Sequence, residues 1–200
     1  MVSETEAPPS PWTGGKAYRG RGRDFPVKRE AVLSAAAALM GRKAYDGMSL
    51  VELAETLGVT KPTLYHYVGS KGQLFAEIVG RSQAMTIDFI AGVVAGPGTG
   101  IEKLRAIMLG YMEIVNSDAG ACLVFANTAD VGAETHGQIR ARAKQANALI
   151  YQVLAEGQAD GTLHVAYPAV VLNTLFGSLN WTPNWYRPGR RLALGEIAEQ

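Results

Sequence analysis

Apolar residues along the chain recur at intervals of three and four, the period of helices packed on one face. From Pro26, the positions Val27, Val32, Leu33, Ala36, Ala37 and Met40 predict an amphipathic helix ending near Gly41. Leu50, Leu53, Ala54 and Leu57 predict a short second helix. Ser49 precedes it with Glu52 three residues on, a capping-box pattern, and Gly58 closes it where a left-handed cap suits glycine. A third helix starts within three residues. Thr60 is its N-cap, Pro62 occupies its first turn, and Leu64 and Tyr67 follow before Gly69 breaks it. Ser70 caps a longer fourth helix reaching about Val94, with Leu74, Phe75, Ile78, Val79, Met85, Phe89 and Ile90 on its buried side. Gly96-Pro97-Gly98 reads as a linker. Helical patterns then cover 101–117, 119–129, 133–158 and 168–181, with Gly161 and Pro168 bracketing the loop before the last. Pro183 and Pro188 are expected to end that helix, which leaves Trp181, Trp185 and Tyr186 in need of burial. No stretch alternates strictly between apolar and polar, and no fixed period repeats. The chain reads as all-α.

Composition narrows the classes. With 200 residues, 48% hydrophobic and 18% charged, the chain can bury a substantial core and is too apolar for disorder. No uninterrupted apolar run reaches the ~18 residues of a membrane span, and no apolar stretch follows a basic start. A cytoplasmic protein with no membrane partner is the expectation. The single cysteine, Cys122, excludes an internal disulfide and a Cys-rich zinc site; between Ala121 and Leu123-Val124 it reads as a small core residue. His66, His136 and His164 are too far apart for metal-ligand spacing. Gly96 to Gly100 lacks the Lys-Ser/Thr of a phosphate-binding loop and follows no strand. Arg140, Arg142 and Lys144 alternate around a helix and read as solvated. No nucleophile–base or paired-carboxylate arrangement stands out, so an enzyme is disfavoured and neither cofactor nor metal is expected.

Charge is unevenly spread. Residues 1–71 hold 10 Lys/Arg against 7 Asp/Glu, and residues 72–200 hold 9 against 11. Lys16, Arg19, Arg21, Arg23, Lys28 and Arg29 face only Asp24. A basic end on a mildly acidic body fits an anionic partner at that end, although a solvated tail would give the same balance. Residues 1–24, rich in proline and glycine, read as a flexible basic arm. Residues 25–71 form a compact three-helix unit, and 72–200 a helical body.

Ser49 to Lys71 carries the function. Two short helices meet at a tight turn that needs a small residue, supplied by Gly58, with Ala54 small at the crossing and Val59 facing the core. The third helix then buries Leu64 and presents Lys61, Pro62, Thr63 and His66. These suit a major groove: lysine donates to guanine, threonine offers hydroxyl and methyl, and proline touches a thymine methyl. Tyr65, Tyr67 and Lys71 can reach flanking phosphates, with the fourth helix's N-terminus alongside.

The run from Ser49 to Lys71 closely resembles the DNA-binding signature of the TetR family, with Gly58-Val59, Leu64-Tyr65, Tyr67 and Ser70-Lys71 at its most typical positions. Val68 stands where the family often has phenylalanine. The resemblance covers about a third of the chain. It implies an N-terminal helix-turn-helix domain followed by a helical ligand-binding and dimerisation domain, in a homodimeric regulator, usually a repressor, of double-stranded operator DNA. By position it assigns Lys61, Pro62, Thr63 and His66 to bases, with Thr60 at the head of the reading helix. It assigns Tyr65, Tyr67, Lys71 and Ser49 to phosphates. Arg19, Arg21 and Arg23 suit a narrow minor groove.

Beyond residue 72 the helices carry many Met and aromatic residues, a composition suited to a small apolar organic ligand and equally to a plain core. Met85, Phe89, Met108, Tyr111, Met112, Phe125, Tyr151, Phe176 and Trp181 are the candidate lining, with Asn127, Asn173 and Asn180 as polar contacts. The stretch from Leu179 to Gly189 more weakly resembles TetR-family regulators of fatty-acid and steroid catabolism, which implies an acyl- or steroid-derived CoA thioester as ligand. The competing reading is a helical enzyme or carrier for an apolar molecule.

Overall fold

The computed structural model describes Trp12, residues 24–125 and 131–187, Gly189 and residues 192–198, with the side chains of 123, 125 and 198 excepted. Arg19, Arg21, Arg23, Asn127 and Pro188 therefore lie outside the described residues, as does the side chain of Phe125. Among the described residues there are nine helices and no strand: α1 (Phe25–Gly47), α2 (Leu50–Leu57), α3 (Lys61–Tyr67), α4 (Lys71–Ala95), α5 (Gly100–Val115), α6 (Asp118–Phe125), α7 (Ala133–Ala159), α8 (Pro168–Trp185) and α9 (Leu194–Ala198). The molecule is all-α.

Two boundaries differ from the sequence expectation, each for a local reason. α1 does not stop near Gly41, because that glycine serves close packing. A Cβ there would lie 3.2 Å from the Asp118 carbonyl oxygen and 3.3 Å from the Ala121 Cβ of α6. The helix runs on and breaks at Ala44 (φ 57°, ψ 176°), where Tyr45 turns its ring against Phe75 at 4.9 Å. Likewise Pro183 does not end α8. A proline cannot donate to the carbonyl four residues back, but the Thr182 hydroxyl donates to that same Leu179 carbonyl at 2.7 Å. The helix therefore continues to Trp185.

Two apolar clusters divide the chain. The first joins α1, α2, α3 and the start of α4 through residues such as Val32, Leu53, Leu64 and Phe75, and takes in Cys122 of α6 and Ile139 of α7. The second joins Ile90 of α4 to Ile107, Val153, Leu154 and Phe176 of α5, α7 and α8, with Leu194 and Ile197 of α9 packed on it. α4 belongs to both. Between its two apolar ends the buried residues are polar: Ser82, Gln83 and Thr86. Among the described helices only α4 is long and apolar enough to cross a membrane, yet it carries Glu77, Arg81 and Asp88 and packs on α1, α5, α6 and α7.

Trp12 docks against the first cluster, its ring edge-on to Tyr67 at 5.2 Å, with the Lys28 ammonium 5.3 Å from the indole centroid. The arm expected from sequence to be flexible is thus anchored at this residue. An amphipathic indole between a core tyrosine and a cation supplies that contact.

Candidate nucleic-acid interface and ligand cavity

Local sequence builds the N-terminal head. Ser49 accepts the Glu52 amide at 3.1 Å to start α2. The capping box is only half formed, because the Glu52 carboxylate turns to Lys43 of α1. Gly58 adopts φ 67° and ψ 32°, and Val59 donates its amide to the Ala54 carbonyl at 2.9 Å. That closure needs a left-handed residue, which glycine supplies at no steric cost. Thr60 then accepts from the Thr63 amide, and Ser70 from that of Gln73. Each short helix has its own start signal, so the turn is specified by residues within the segment itself.

Leu64 and Tyr67 face inward at 0% and 4% exposure. Lys61, Pro62, Tyr65 and His66 are exposed on the outside of α3, with Thr60 and Ser49 exposed at the helix starts. Thr63 is half-buried and shares a 2.8 Å hydrogen bond with the Thr60 hydroxyl. Lys71 is half-buried, its ammonium 4.3 Å from the Tyr45 ring centroid at the N-terminus of α4. Tyr67, expected at a phosphate, packs its ring in the head core, with Phe25 stacked on it at 5.0 Å and Trp12 meeting it edge-on at 5.2 Å.

A cavity of about 340 Å³ opens between α4, α5, α7 and α8. Gln83, Thr86, Ile87 and Ile90 line it from α4, and Leu172, Asn173, Phe176 and Asn180 from α8. Tyr111 enters from α5, donating its hydroxyl to Asn180 Oδ1 at 2.6 Å and meeting Phe176 edge-on at 5.0 Å. Burial pushes the Tyr111 phenol up to about 12 against the opposing pull of Asn180. It is therefore a neutral donor throughout the physiological range. Gln83 donates to the Ile139 carbonyl at 2.9 Å, tying α4 to α7 at the cavity wall.

Of the expected lining, Tyr111, Asn173, Phe176 and Asn180 meet there. Phe89, Met108 and Met112 pack in the second cluster beside the cavity and do not line it. Met85, Tyr151 and Trp181 are 51%, 40% and 64% exposed. Met85 shares the outer side of α4 with Ala84 and Asp88. Trp181 lies on the outward stripe of α8 with Val170 and Trp185, so the burial expected of the two tryptophans is absent within one chain. Arg142 of α7, read from sequence as solvated, lines the cavity. A signal for it existed: Ile139, Arg142, Ala146 and Ile150 share one helical stripe.

Cys122 is fully buried, and burial pushes its thiol up to about 12, which suits a packing role.

Comparisons with known proteins bear on both regions. Residues 97–200, just over half the chain, match the family model described as the tetracyclin repressor-like C-terminal domain. Residues 32–78 match that of the bacterial regulatory proteins of the tetR family. The transcriptional repressor KstR2 of Mycolicibacterium smegmatis is 19% identical over 180 residues, 86% of each chain. The crystal structure of AibR in complex with isovaleryl coenzyme A and operator DNA superposes with a TM-score of 0.76 at 25% identity, over 86% of this chain and 94% of that one. The ketosteroid regulator KstR2 of Mycobacterium tuberculosis has the same fold, with a TM-score of 0.78 at 18% identity over 86% and 89% of the two chains.

Proposed function

The chain belongs to the TetR family of bacterial regulatory proteins, and we propose that it is a repressor that binds a palindromic operator as a homodimer and leaves it when an organic ligand fills the cavity. One observation carries this reading. α4 is a single helix that starts at Lys71 beside the exposed residues of α3 and reaches the cavity through Gln83, Thr86, Ile87 and Ile90. A ligand that favours one placement of α4 thereby biases the placement of α3. It does so only by its differential affinity for the two states, and operator DNA must weaken ligand binding by the same factor.

In this reading Lys61, Pro62, Thr63 and His66 read bases, while Ser49, Thr60, Tyr65 and Lys71 hold the backbone. Large apolar residues exposed along α8, Val170, Trp181 and Trp185, favour a second copy as their cover. The ligand is an acyl or steroid CoA thioester, in keeping with the isovaleryl coenzyme A of AibR and the ketosteroid description of KstR2. The enzyme or carrier reading is weaker, since among the described residues the cavity lining holds no carboxylate, thiol or imidazole.

Selection from random duplex DNA tests the reading. Enrichment of a palindrome with half-site centres one turn apart, about 34–36 Å, is expected. Failure to enrich any sequence refutes it.

A further inference from the structure

Arg142 is the cavity's one charged lining residue, and the other polar groups that line it are amides and hydroxyls. The five ion pairs among the described residues all leave Arg142 out. Its guanidinium instead lies on α4 at a glycine, where a Cβ on Gly80 would sit 3.2 Å from Nη1 and 3.6 Å from Cζ. Among the described residues this half-buried cation has no carboxylate partner, so its charge is available to a ligand. A planar fork of donors is the side chain suited to carboxylate or phosphate. One and two turns further along α7, Ala146 and Ile150 lead from the guanidinium to the apolar floor formed with Ile90 and Phe176.

We infer that Arg142 is the anion-recognition residue of this cavity, and that its ligands are amphipathic anions, an apolar body joined to a carboxylate or a phosphate. This rests on the ligand-responsive reading above and narrows it. The anionic end sits where α7 crosses α4, against Gly80 and three residues before the lining residue Gln83, so the charge is felt on the helix that leads to the head.

Three probes of one chain length separate the possibilities: hexanoate, hexanoyl-CoA and uncharged hexanol. Binding is measured calorimetrically at low and high salt on the unmodified protein and on R142M, R142Q and R142K, with operator release followed in parallel. Loss of a charge-assisted hydrogen bond predicts an affinity drop of about 10- to 100-fold for the anionic probes in R142M and R142Q. Hexanol binding stays unchanged, and R142K, which keeps the charge but not the fork, retains only part of the anion affinity. The salt sensitivity of anion binding disappears in R142M along with the affinity. Binding of hexanoate identifies a carboxylate as the recognised group, and binding of hexanoyl-CoA alone identifies phosphate.

The inference is overturned if hexanol binds the unmodified protein as tightly as both anions. It is also overturned if neither anion binds, or if R142M and R142Q weaken all three probes alike. Release of the operator by hexanol, equally in R142M, would overturn the role of Arg142 and leave the regulator reading intact. An anion that binds through Arg142 without releasing operator would do the reverse.

Discussion

The head and the body of this molecule are specified in different ways. In the head, α2, α3 and α4 each begin at a serine or threonine that accepts the amide three residues on. The residues proposed to read bases then lie within a single seven-residue helix. In the body, α7 and α8 start without a side-chain cap, and the cavity is assembled from four helices whose lining residues run from Gln83 to Asn180. The head packs a closed apolar core, whereas the body leaves space and lines it with amides and hydroxyls. A surface that must present fixed groups to a regular polymer benefits from local rigidity. A cavity that must admit and release a ligand is placed where packing is incomplete.

The largest test of that contrast compares two leucine truncations. Leu64→Ala in the closed head core, where Leu64 is fully buried, is expected to cost about 2–5 kcal/mol and to abolish operator binding. Leu172→Ala at the cavity wall removes the same atoms beside existing space, so the new void adds less and the loss falls near the lower end of that range. Denaturant unfolding of both variants measures the difference. Equal losses would mean that the body is packed as tightly as the head.

Lys61→Ala acts next in size and without unfolding. Lys61 is exposed, its ammonium 5.9 Å from the Tyr65 ring centroid. Its removal is expected to cost about 1–3 kcal/mol in operator affinity, relax preference at one base position, and leave the melting temperature unchanged. A uniform loss on all DNA sequences would reassign Lys61 to phosphate.

The same contrast explains what the sequence made legible. The helix-turn-helix was readable because Gly58, the serine and threonine caps and Pro62 act within a few residues of themselves. The side chains on α3 follow from helical periodicity alone. Tyr67 escaped, because Phe25 and Trp12 cover it from outside the motif, and no spacing rule within Ser49 to Lys71 reveals them. In the body, residue type was a poor guide. Met85, Tyr151 and Trp181 have the composition of a pocket and lie on the surface. Arg142 and Gln83 look like solvated residues and line the cavity. On α7 the stripe of Ile139, Arg142, Ala146 and Ile150 carried a signal, but which stripe of α4 or α8 faces inward depends on how four helices cross, which pattern within either helix cannot fix. Gly41 and Pro183 misled for a related reason, since α6 and the Thr182 hydroxyl alter their usual meaning.

Tyr111→Phe probes the body with a smaller effect. It removes the 2.6 Å bond to Asn180 at an expected cost of about 0.5–1.5 kcal/mol, with operator affinity unaltered in the absence of ligand. The pH dependence has a definite sign. The Tyr111 phenol ionises near 12 in the folded protein against an ordinary 10.0. The stability linked to this group is therefore complete below pH 10 and is lost as pH rises from there to about 12. Phenolate absorbance should show one tyrosine titrating late in the unmodified protein and missing in the variant.

The smallest effect is at the seam between the two regions. Arg29 of α1 forks onto both carboxylate oxygens of Glu77 on α4, and Arg81 bridges Glu77 to Glu30 at 2.9 and 2.7 Å. The Arg29 hydrogen bond, opposed by desolvation and aided by both guanidinium charges, holds the Glu77 carboxyl below its usual 4.5. A lowered folded value means that the stabilisation is present above pH 4.5 and is lost as pH falls through the folded value. The group is partly solvated, so Glu77→Gln is expected to cost under about 1 kcal/mol near neutral pH, and less in high salt. The gap between variant and unmodified protein should stay level down to the ordinary carboxylate range, narrow below it and then close. The variant should still melt in a single transition, because Cys122 and Ile139 carry the body's helices into the head's core. Two separate transitions in Glu77→Gln would mean that ion pairs, rather than this shared packing, make the two regions act as one.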